Sequence, residues 1–563
     1  MLTNGSTENA LKVAREFEEL RWVFANRLPG ARLDSGASFL VFAVRDVETA
    51  ESLVPGLRGA DHIAGLFNHG WEKQFALVRL DTFGGNGAKE VVYHEYTHHI
   101  LNMNFRWLPT WLDEGAAEFY GYTRFEEHKI FLGAPTVRSR VLHSHALNTI
   151  EQLMSVTPRS SLYSTEFFYA ESWALVHFLI YGQGMEGGKK LDLFLSLLQQ
   201  GMEQGKAFRQ AFGEPKEMDK AFSNYLWVGS IDGMPQPFRA TVLKGGPGIN
   251  EKQFVVKTLS MAETRAELGS YHLWLHDPKG ARALNEQALK DDPKLGLAHE
   301  NMGFLDFADG KDAEATSEFS QAFALDQNLY LSLFAKTMLS SLANSHTVND
   351  MNTFGATIGK VLQVNPEFAP GYVQLARLAV RENDLNAALL MSRKAEELEP
   401  TRAGYHLLTG RILLLMGKGS EAAATARFVA DRWEGPDHNE AVELWNNVPA
   451  GQRSTADAIL AVSPKDAQVV QGSVKAVTCG DKGEDWKLVV DRGGRSLTFL
   501  RKGGFASGFS DTLWYGADHF TLCHHLEGMR VVVYYLPPTD NTHTGDVAEI
   551  EIRDDLPEPL SQH

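Results

Sequence analysis

Two histidines and a glutamate stand at the spacing of a metal-hydrolase site in the stretch VVYHEYTHHIL, residues 91–101. On a helix, His94 and His98 lie one turn apart on the same face, where both imidazoles can bind one metal ion. Glu95 lies beside them and is the type of residue that accepts a proton from a metal-activated water. A third protein ligand is required, because zinc in hydrolases takes three protein ligands and keeps one position open.

The third ligand is expected from the stretch LPTWLDEGAAEFYG, residues 108–121. Its Pro-Thr pair predicts a helix start, and Glu114 and Glu118 lie four residues apart on one face of that helix. Fifteen residues separate His98 from Glu114. This span allows the first helix to end, turn and return antiparallel, so that the Glu114 carboxylate completes a His, His, Glu set.

The two stretches HEYTH and WLDEGAAEF together resemble the gluzincin metallopeptidases, and most closely bacterial peptidase-MA-like proteins with tetratricopeptide tails. The resemblance covers most of residues 1–230. It implies one zinc ion, bound by His94, His98 and Glu114, with Glu95 as the general base. It also implies that Glu118 holds a ligand imidazole, which fixes the tautomer of that histidine.

Two related classes do not fit the sequence. Metzincins carry Gly and a third His where this chain has Leu101 and Asn104. Aminopeptidases of the gluzincin type carry a Gly-x-Met-Glu-Asn stretch upstream of the first ligand, and none precedes His94. The resemblance therefore favours an endopeptidase.

A candidate oxyanion donor lies in FFYAESWALVHFL, residues 167–179. The stretch resembles the gluzincin helix whose tyrosine stabilises the tetrahedral intermediate, which implies that role for Tyr169. The alternative role for Tyr169 is packing as an ordinary aromatic side chain at a helix start. His99 lies off the ligand face of its helix and is expected to be only a neighbour of the site.

Helices and strands mix in the part of the chain that carries these motifs. Residues 7–28 have apolar side chains at helical spacing, SFLVFAVRD and FALVRLD have the pattern of strands, and residues 94–226 are mainly helical. FALVRLD, residues 75–81, is the expected edge strand on which an extended peptide could lie.

An internal repeat follows along the chain. The interval from Pro366 to Pro400 equals the interval from DDPK at 291–294 to LDQN at 325–328. This interval of about 34 residues is typical of the tetratricopeptide repeat, and residues 298–328 resemble its pattern. Stacked helix pairs of this kind bury their apolar faces against one another, so a binding role is expected on the concave surface.

The chain is therefore predicted to be multidomain. We expect an α+β gluzincin-like catalytic domain at 1–250, an all-α tetratricopeptide superhelix at 255–440, and a small all-β C-terminal domain at 465–558. The last domain is predicted from alternating and β-branched runs, with a Gly-Gly turn at residues 493–494.

Two features of the C-terminal segment bear on chemistry. The sequence leaves open whether Cys479 and Cys523 form a disulfide, which requires export. The stretch CHH at 523–525 is expected in a strand, where alternating side chains cannot converge on one metal ion.

Charge and hydropathy exclude other classes of function. The chain has 54 Lys and Arg against 71 Asp and Glu, a net charge of −17, which disfavours binding to nucleic acids and anionic membranes. No apolar run reaches the roughly 18–20 residues of a membrane span. The resemblance implies a periplasmic or secreted protein; since the first residues lack a secretory pattern, we expect a leader that this chain does not include.

The predicted function is that of a zinc-dependent peptidase, because the metal ligand set comes with an intact base at Glu95. The repeats would then recruit a peptide or protein substrate. The alternative is an interaction protein, in which the repeats bind a protein partner and the metallopeptidase-like domain is non-catalytic.

Overall fold

A computed structural model gives the fold, and the chain divides into two compact units, Met1–Lys257 and Thr258–His563. The predicted domain ends at residues 250 and 558 lie outside the described residues. The structure describes the whole chain except residues 55–64, 71, 82–87, 127–128, 136, 144–145, 164, 228–229, 232–233, 236–240, 245–247, 250–252, 345–347, 454–458, 481–484, 502–506, 510–517, 539–541 and 554–563.

The first unit mixes helices with short sheets. Its strands are β1 (Leu2–Thr3), β2 (Ser38–Val44), β3 (Gly65–His69), β4 (Lys73–Arg79), β5 (Arg124–Glu126), β6 (Lys129–Leu132), β7 (Ser230–Ile231), β8 (Met234–Pro235) and β9 (Thr241–Lys244). Its helices are α1 (Thr7–Arg27), α2 (Val47–Leu53), α3 (Ala88–Asn104), α4 (Thr110–Gly121), α5 (Ile150–Met154), α6 (Glu166–Tyr181), α7 (Lys189–Gln199), α8 (Gln204–Phe212) and α9 (Pro215–Trp227), with 3₁₀ turns at Val137–His143 and Glu186–Gly188.

The main sheet of this unit has the strand order β1-β2-β4-β3. Strands β2 and β4 are parallel, and β3 is antiparallel to β4. The expectation that FALVRLD forms the edge strand is therefore wrong, because β4 is an inner strand and β3 is the edge. The reason is physical: Phe75, Ala76, Leu77 and Val78 are all buried, and such a continuous apolar run suits a strand covered on both faces.

Helix α6 is the centre of the core of the first unit. Thr165 caps its start by accepting a hydrogen bond from the Phe168 backbone N–H. The helix is buried from Ala170 to Ile180, since its side chains are apolar on nearly all sides. Helix α4 packs closely on α6, and α3 packs on α4.

The second unit begins with a series of helices. These are α10 (Met261–Trp274), α11 (Pro278–Asp291), α12 (Gly296–Ala308), α13 (Asp312–Leu325), α14 (Tyr330–Asn344), α15 (Val348–Val364), α16 (Ala369–Arg381), α17 (Leu385–Leu398), α18 (Ala403–Leu415), α19 (Gly419–Ala430) and α20 (Pro436–Asn447), followed by a 3₁₀ turn at Ala450–Gln452.

These helices form pairs with the predicted spacing. The interval between the starts of α12 and α14 equals that between the starts of α16 and α18, and both equal the tetratricopeptide period. Within one pair, Gly303 of α12 leaves room for the ring of Phe319 of α13, since an added Cβ would lie 2.6 Å from that ring. The region is therefore a helical repeat of the tetratricopeptide type, and this part of the prediction is confirmed.

The second unit ends in a small β domain. It contains β10 (Gln468–Cys479), β11 (Trp486–Arg492), β12 (Arg495–Arg501), β13 (Ser507–Phe509), the one-turn helix α21 (Leu522–His525), β14 (Arg530–Leu536) and β15 (Gly545–Arg553). Its strand order is β12-β11-β10-β14-β15-β13, and a further pairing of β12 with β15 closes the sheet. We call it the C-terminal barrel. Gly493 and Gly494 both take positive φ angles in the tight turn between β11 and β12, as a two-residue hairpin requires.

The stretch CHH at 523–525 lies in helix α21, so the expectation of a strand there is wrong. The helix forms because the backbone N–H of His525 donates to the Thr521 carbonyl, while its Nδ1 accepts from the Thr521 N–H. Cys523 is joined to Cys479 by a disulfide.

The barrel packs against the first helices of the repeat pairs at both ends of the array. Helices α10, α12 and α14 contact one another in series, as do α18 and α20, so these first helices share one face. At the start of the array, the ring centroid of Trp274 lies 4.6 Å from that of His519, and Phe307 stacks on His525 at 4.1 Å. At its end, Asn439 of α20 donates to Glu551 of β15. The barrel therefore covers part of the face that these first helices share, which we call the first-helix face.

Candidate metal centre

Helices α3 and α4 bring the predicted residues together. Helix α3 ends at Asn104, whose side chain accepts from the Arg32 N–H and donates to the Arg32 carbonyl at 2.7 and 2.8 Å. Helix α4 starts after Pro109, whose carbonyl accepts from the backbone N–H of Asp113. Four residues in the short turn between Asn104 and Pro109 are enough to return the chain, and the two helices run antiparallel as the sequence predicts.

Three donor atoms converge between these helices. Nε2 of His94 lies 3.1 Å from Nε2 of His98. Oε2 of Glu114 lies 3.3 Å from the first nitrogen and 3.4 Å from the second. Among the described residues, His94, His98 and Glu114 form the one cluster of His, Cys, Asp and Glu side chains able to hold a metal ion.

The spacing of these atoms fits zinc. Tetrahedral bonds of about 2.0–2.1 Å place two donors about 3.3–3.4 Å apart, which matches the distances between the donors here. Oε2 of Glu114 is buried and accepts no hydrogen bond from a described residue, which leaves its lone pairs available to a cation. Two imidazoles and a carboxylate are also the ligand types of a hydrolytic zinc site.

Each imidazole has an acidic partner on its second nitrogen. Nδ1 of His94 lies 3.4 Å from Oε1 of Glu118, and Nδ1 of His98 lies 3.0 Å from Oδ1 of Asp113. Such contacts fix the tautomer that presents Nε2 to a metal and raise the basicity of the ring. Glu118 thus lies where the resemblance places it. Asp113 was missed, although its position directly before Glu114 on an antiparallel helix is a signal that could have found it.

The charges of these side chains shift one another's pKa values. Burial lowers the pKa of His94, but Glu114 and Glu118 outweigh it, and the pKa is raised. Burial has the same effect on His98, whose pKa Asp113 and Glu114 raise well above the usual value. For Glu114, burial raises the pKa, yet the two histidines lower it overall, so the carboxyl is ionised. The imidazoles must lose their protons before they bind a cation.

Two tyrosines and an arginine border the donors. The ring centroid of Tyr169, near the start of α6, lies 6.3 Å from that of His94. The Arg138 guanidinium lies over the Tyr169 ring, 4.9 Å from its centroid, and also pairs with Glu118. The Tyr163 hydroxyl donates to Oε1 of Glu114 at 3.0 Å. Tyr163 and Arg138 were not predicted, and no local spacing in the sequence points to either.

Glu95 and His99 take different positions on α3. Glu95 directly follows His94 and is partly exposed. His99 is buried and lies among aromatic rings. Its ring centroid is 6.1 Å from that of Phe39 and 5.9 Å from that of Tyr96. The structure thus places His99 outside the donor set, in a packed aromatic cluster.

No protein-family model matches the sequence, and no curated protein matches it. Solved structures that are similar to it include a thermophilic TPR protein of Thermus thermophilus, with 17% identity over 30% of this chain and 91% of the other and a TM-score of 0.26. PilF of Pseudomonas aeruginosa has 14% identity over 34% and 88%, with a TM-score of 0.29.

A third similar structure is YrrB, a TPR protein with an unusual peptide-binding site, with 13% identity over 33% of this chain and 87% of that protein and a TM-score of 0.25. All three are tetratricopeptide proteins. The helix pairs and their spacing identify the repeat type. Among the described residues, every helix is too short or too polar to cross a bilayer.

Proposed function

We propose that the first unit is a zinc-dependent peptidase. The observation that carries this proposal is the convergence of three donors from His94, His98 and Glu114 within 3.1–3.4 Å of one another. An acidic side chain behind each imidazole supports it, since hydrolytic zinc sites are built in this way. Zinc supplies Lewis acidity and lowers the pKa of a coordinated water to about 7.

Glu95 is the proposed general base. It follows His94 on α3, so it lies beside the ligand face, and a carboxylate there can take a proton from the attacking water. One of its oxygens then passes that proton to the nitrogen of the leaving amine. This role contributes about 10²–10⁴-fold to the rate in enzymes of known mechanism.

Tyr169 is the proposed donor to the oxygen of the scissile carbonyl. Its ring lies near His94, and burial raises the pKa of its phenol, so the hydroxyl keeps its proton at neutral pH. A phenol in this position can donate a hydrogen bond as negative charge develops on the carbonyl oxygen. Arg138 over the ring helps to hold Tyr169 in place.

A peptide is the proposed substrate class. Strand β3 is the edge of the main sheet, and among the described residues it pairs with β4 alone. We propose that an extended peptide pairs with the other side of β3 by strand addition. Helix α3, which carries Glu95, contacts β3, so a peptide on this edge would lie near the metal ligands. Strand addition recognises the backbone of the substrate peptide and does not require its terminus, which favours an endopeptidase.

The substitution Glu95→Gln tests the peptidase. We expect the variant to bind zinc as the wild type does and to lose peptide hydrolysis by at least about 100-fold. Cleavage of a peptide library, with and without a chelator, measures the second property, and metal analysis measures the first. Glu166→Gln, at an exposed position at the start of α6, is the matched control and should cleave normally. Equal cleavage by Glu95→Gln and wild type would refute the assignment.

A second candidate function is protein binding by the repeats, with a non-catalytic first unit. The helices of tetratricopeptide type favour it, since such stacks present extended surfaces to protein or peptide partners. This function predicts that a partner bound by the full chain is still bound after His94→Ala removes one metal ligand. A partner retained only by a chain with an intact His94 would contradict it.

A further inference from the structure

The two oxygens of Glu114 have different surroundings. Oε2 faces both imidazoles, at 3.3 and 3.4 Å from their Nε2 atoms. Oε1 accepts a hydrogen bond from the Tyr163 hydroxyl at 3.0 Å. A carboxylate can bind a metal ion through one oxygen or through both, and here a phenol already holds the second oxygen. Oε2 of Glu114 is thus directed at the two imidazoles, and Oε1 is held by Tyr163.

This division matters because the number of open positions on zinc decides what it can do. A carboxylate that binds through both oxygens takes up a position that a hydrolytic site leaves to water and substrate. The hydrogen bond from Tyr163 occupies a lone pair of Oε1 and fixes its direction, so it can hold Oε1 away from the ion.

We propose that Tyr163 is a positioning residue that holds Glu114 as a one-oxygen zinc ligand. The inference rests on the proposed function and deepens it, since it names the group that keeps a coordination position open. Tyr163 reaches Glu114 from the segment just before α6, while Glu114 lies on α4. The contact therefore also ties the ligand to the element that carries Tyr169.

Tyr163 and Tyr169 take separate roles, although their ring centroids lie only 6.4 Å apart. A phenol has one proton, and Tyr163 donates its own to Glu114. When a substrate carbonyl is present, Tyr169 can donate to it while Tyr163 keeps its bond to Glu114.

The test is Tyr163→Phe in the full chain, which removes one hydroxyl and keeps the ring. We expect the dissociation constant for zinc, measured by competition with a chelator, to rise about 10–100-fold. In protein loaded with Co²⁺ instead, we expect visible absorption to weaken, because a second oxygen of Glu114 joins the ion and raises its coordination number. Tyr169→Phe is the matched control and should leave both measurements unchanged while it lowers hydrolysis.

The outcomes separate this inference from the peptidase proposal. Wild-type zinc affinity and an unchanged Co²⁺ spectrum in Tyr163→Phe would overturn the positioning role, even if the enzyme cleaves peptides. If the wild type binds zinc but cleaves no peptide, the peptidase proposal fails, and the two metal measurements still decide the role of Tyr163. A wild-type chain that binds no zinc would overturn both. Circular dichroism of each metal-free variant shows whether the fold is intact.

Discussion

Gly115→Ala should damage the metal site through packing alone. Gly115 directly follows Glu114 on α4 and faces α6. An added Cβ would lie 2.4 Å from the Ser172 carbonyl oxygen and 2.8 Å from a methyl group of Val176, whereas ordinary contact begins at 3.4 Å. The nearest obstacle is backbone, which cannot rotate away. The two helices must therefore separate by about 1 Å, and overpacking of this kind costs about 1–3 kcal/mol.

Part of that cost is offset, because alanine favours a helix over glycine by about 1 kcal/mol. With backbone as the obstacle we take the upper end of the range and expect a net loss of about 2 kcal/mol in the free energy of unfolding. For a unit of this size the melting temperature should fall by about 4–8 °C. The same shift moves Glu114 relative to His94 and His98. A misplacement of about 1 Å costs on the order of 100-fold in rate.

The measurements are thermal unfolding of the metal-free chain, zinc affinity and peptide cleavage. Gly359→Ala is the control, because an added Cβ there meets no described atom within 4 Å in the middle of α15. It should raise the stability of the second unit by up to about 1 kcal/mol and leave zinc binding unchanged. If Gly115→Ala also raises stability and keeps full zinc affinity, the close approach of α4 and α6 does not position the site.

Three further predictions concern other contacts. Asp113→Asn should weaken zinc binding about 10–100-fold in a chelator competition, and unchanged affinity would show that this carboxylate does not orient its histidine. Replacing both Cys479 and Cys523 with serine should lower the unfolding free energy of the second unit by about 2–4 kcal/mol in urea; reductant should then have no further effect. Burial lowers the pKa of His525, beside His524, to about 4. Below pH of about 6.5 the unfolded chain binds a proton that the folded chain does not, so stability should fall by up to about 3 kcal/mol as pH drops to about 4. His525→Gln should flatten that pH dependence in thermal unfolding, and an unchanged slope would contradict the reasoning.

The parts of the site that could be predicted are those fixed by local geometry. His94 and His98 share a helix face because of the helical period, and a short turn returns Glu114 to them. Tyr163 lies 49 residues from Glu114, and its contact depends on how α6 packs on α4. Arg138 reaches Glu118 from a 3₁₀ turn. No spacing rule links such residues, so the sequence could not identify them.

The same contrast holds for the fold. The repeat period was visible because each helix pair is local, and successive first helices start 33–35 residues apart at every step except the longer one from α14 to α16. Strand order was not visible, since the apolar run of β4 fits an inner strand as well as an edge next to a covering helix. The contact between His525 and Phe307 joins positions 218 residues apart. This contact forms because the barrel packs on the array. No sequence pattern in either segment alone predicts that packing.

The position of the barrel limits how the repeats can bind a partner. Repeats contact only their neighbours, so an array is free to flex unless something joins its ends. Here the barrel does so. Nε2 of His525 donates to the Phe307 carbonyl of α12 at 2.9 Å, while Asn439 of α20 donates to Glu551 at 2.6 Å.

A partner for the first-helix face must therefore displace the barrel or bind between its two attachments. If it displaces the barrel, its apparent affinity is reduced by the small fraction of chains in which the barrel is released. Repeats tested without the barrel would expose a surface that the full chain covers, so only the full chain can decide between a scaffold and a peptidase.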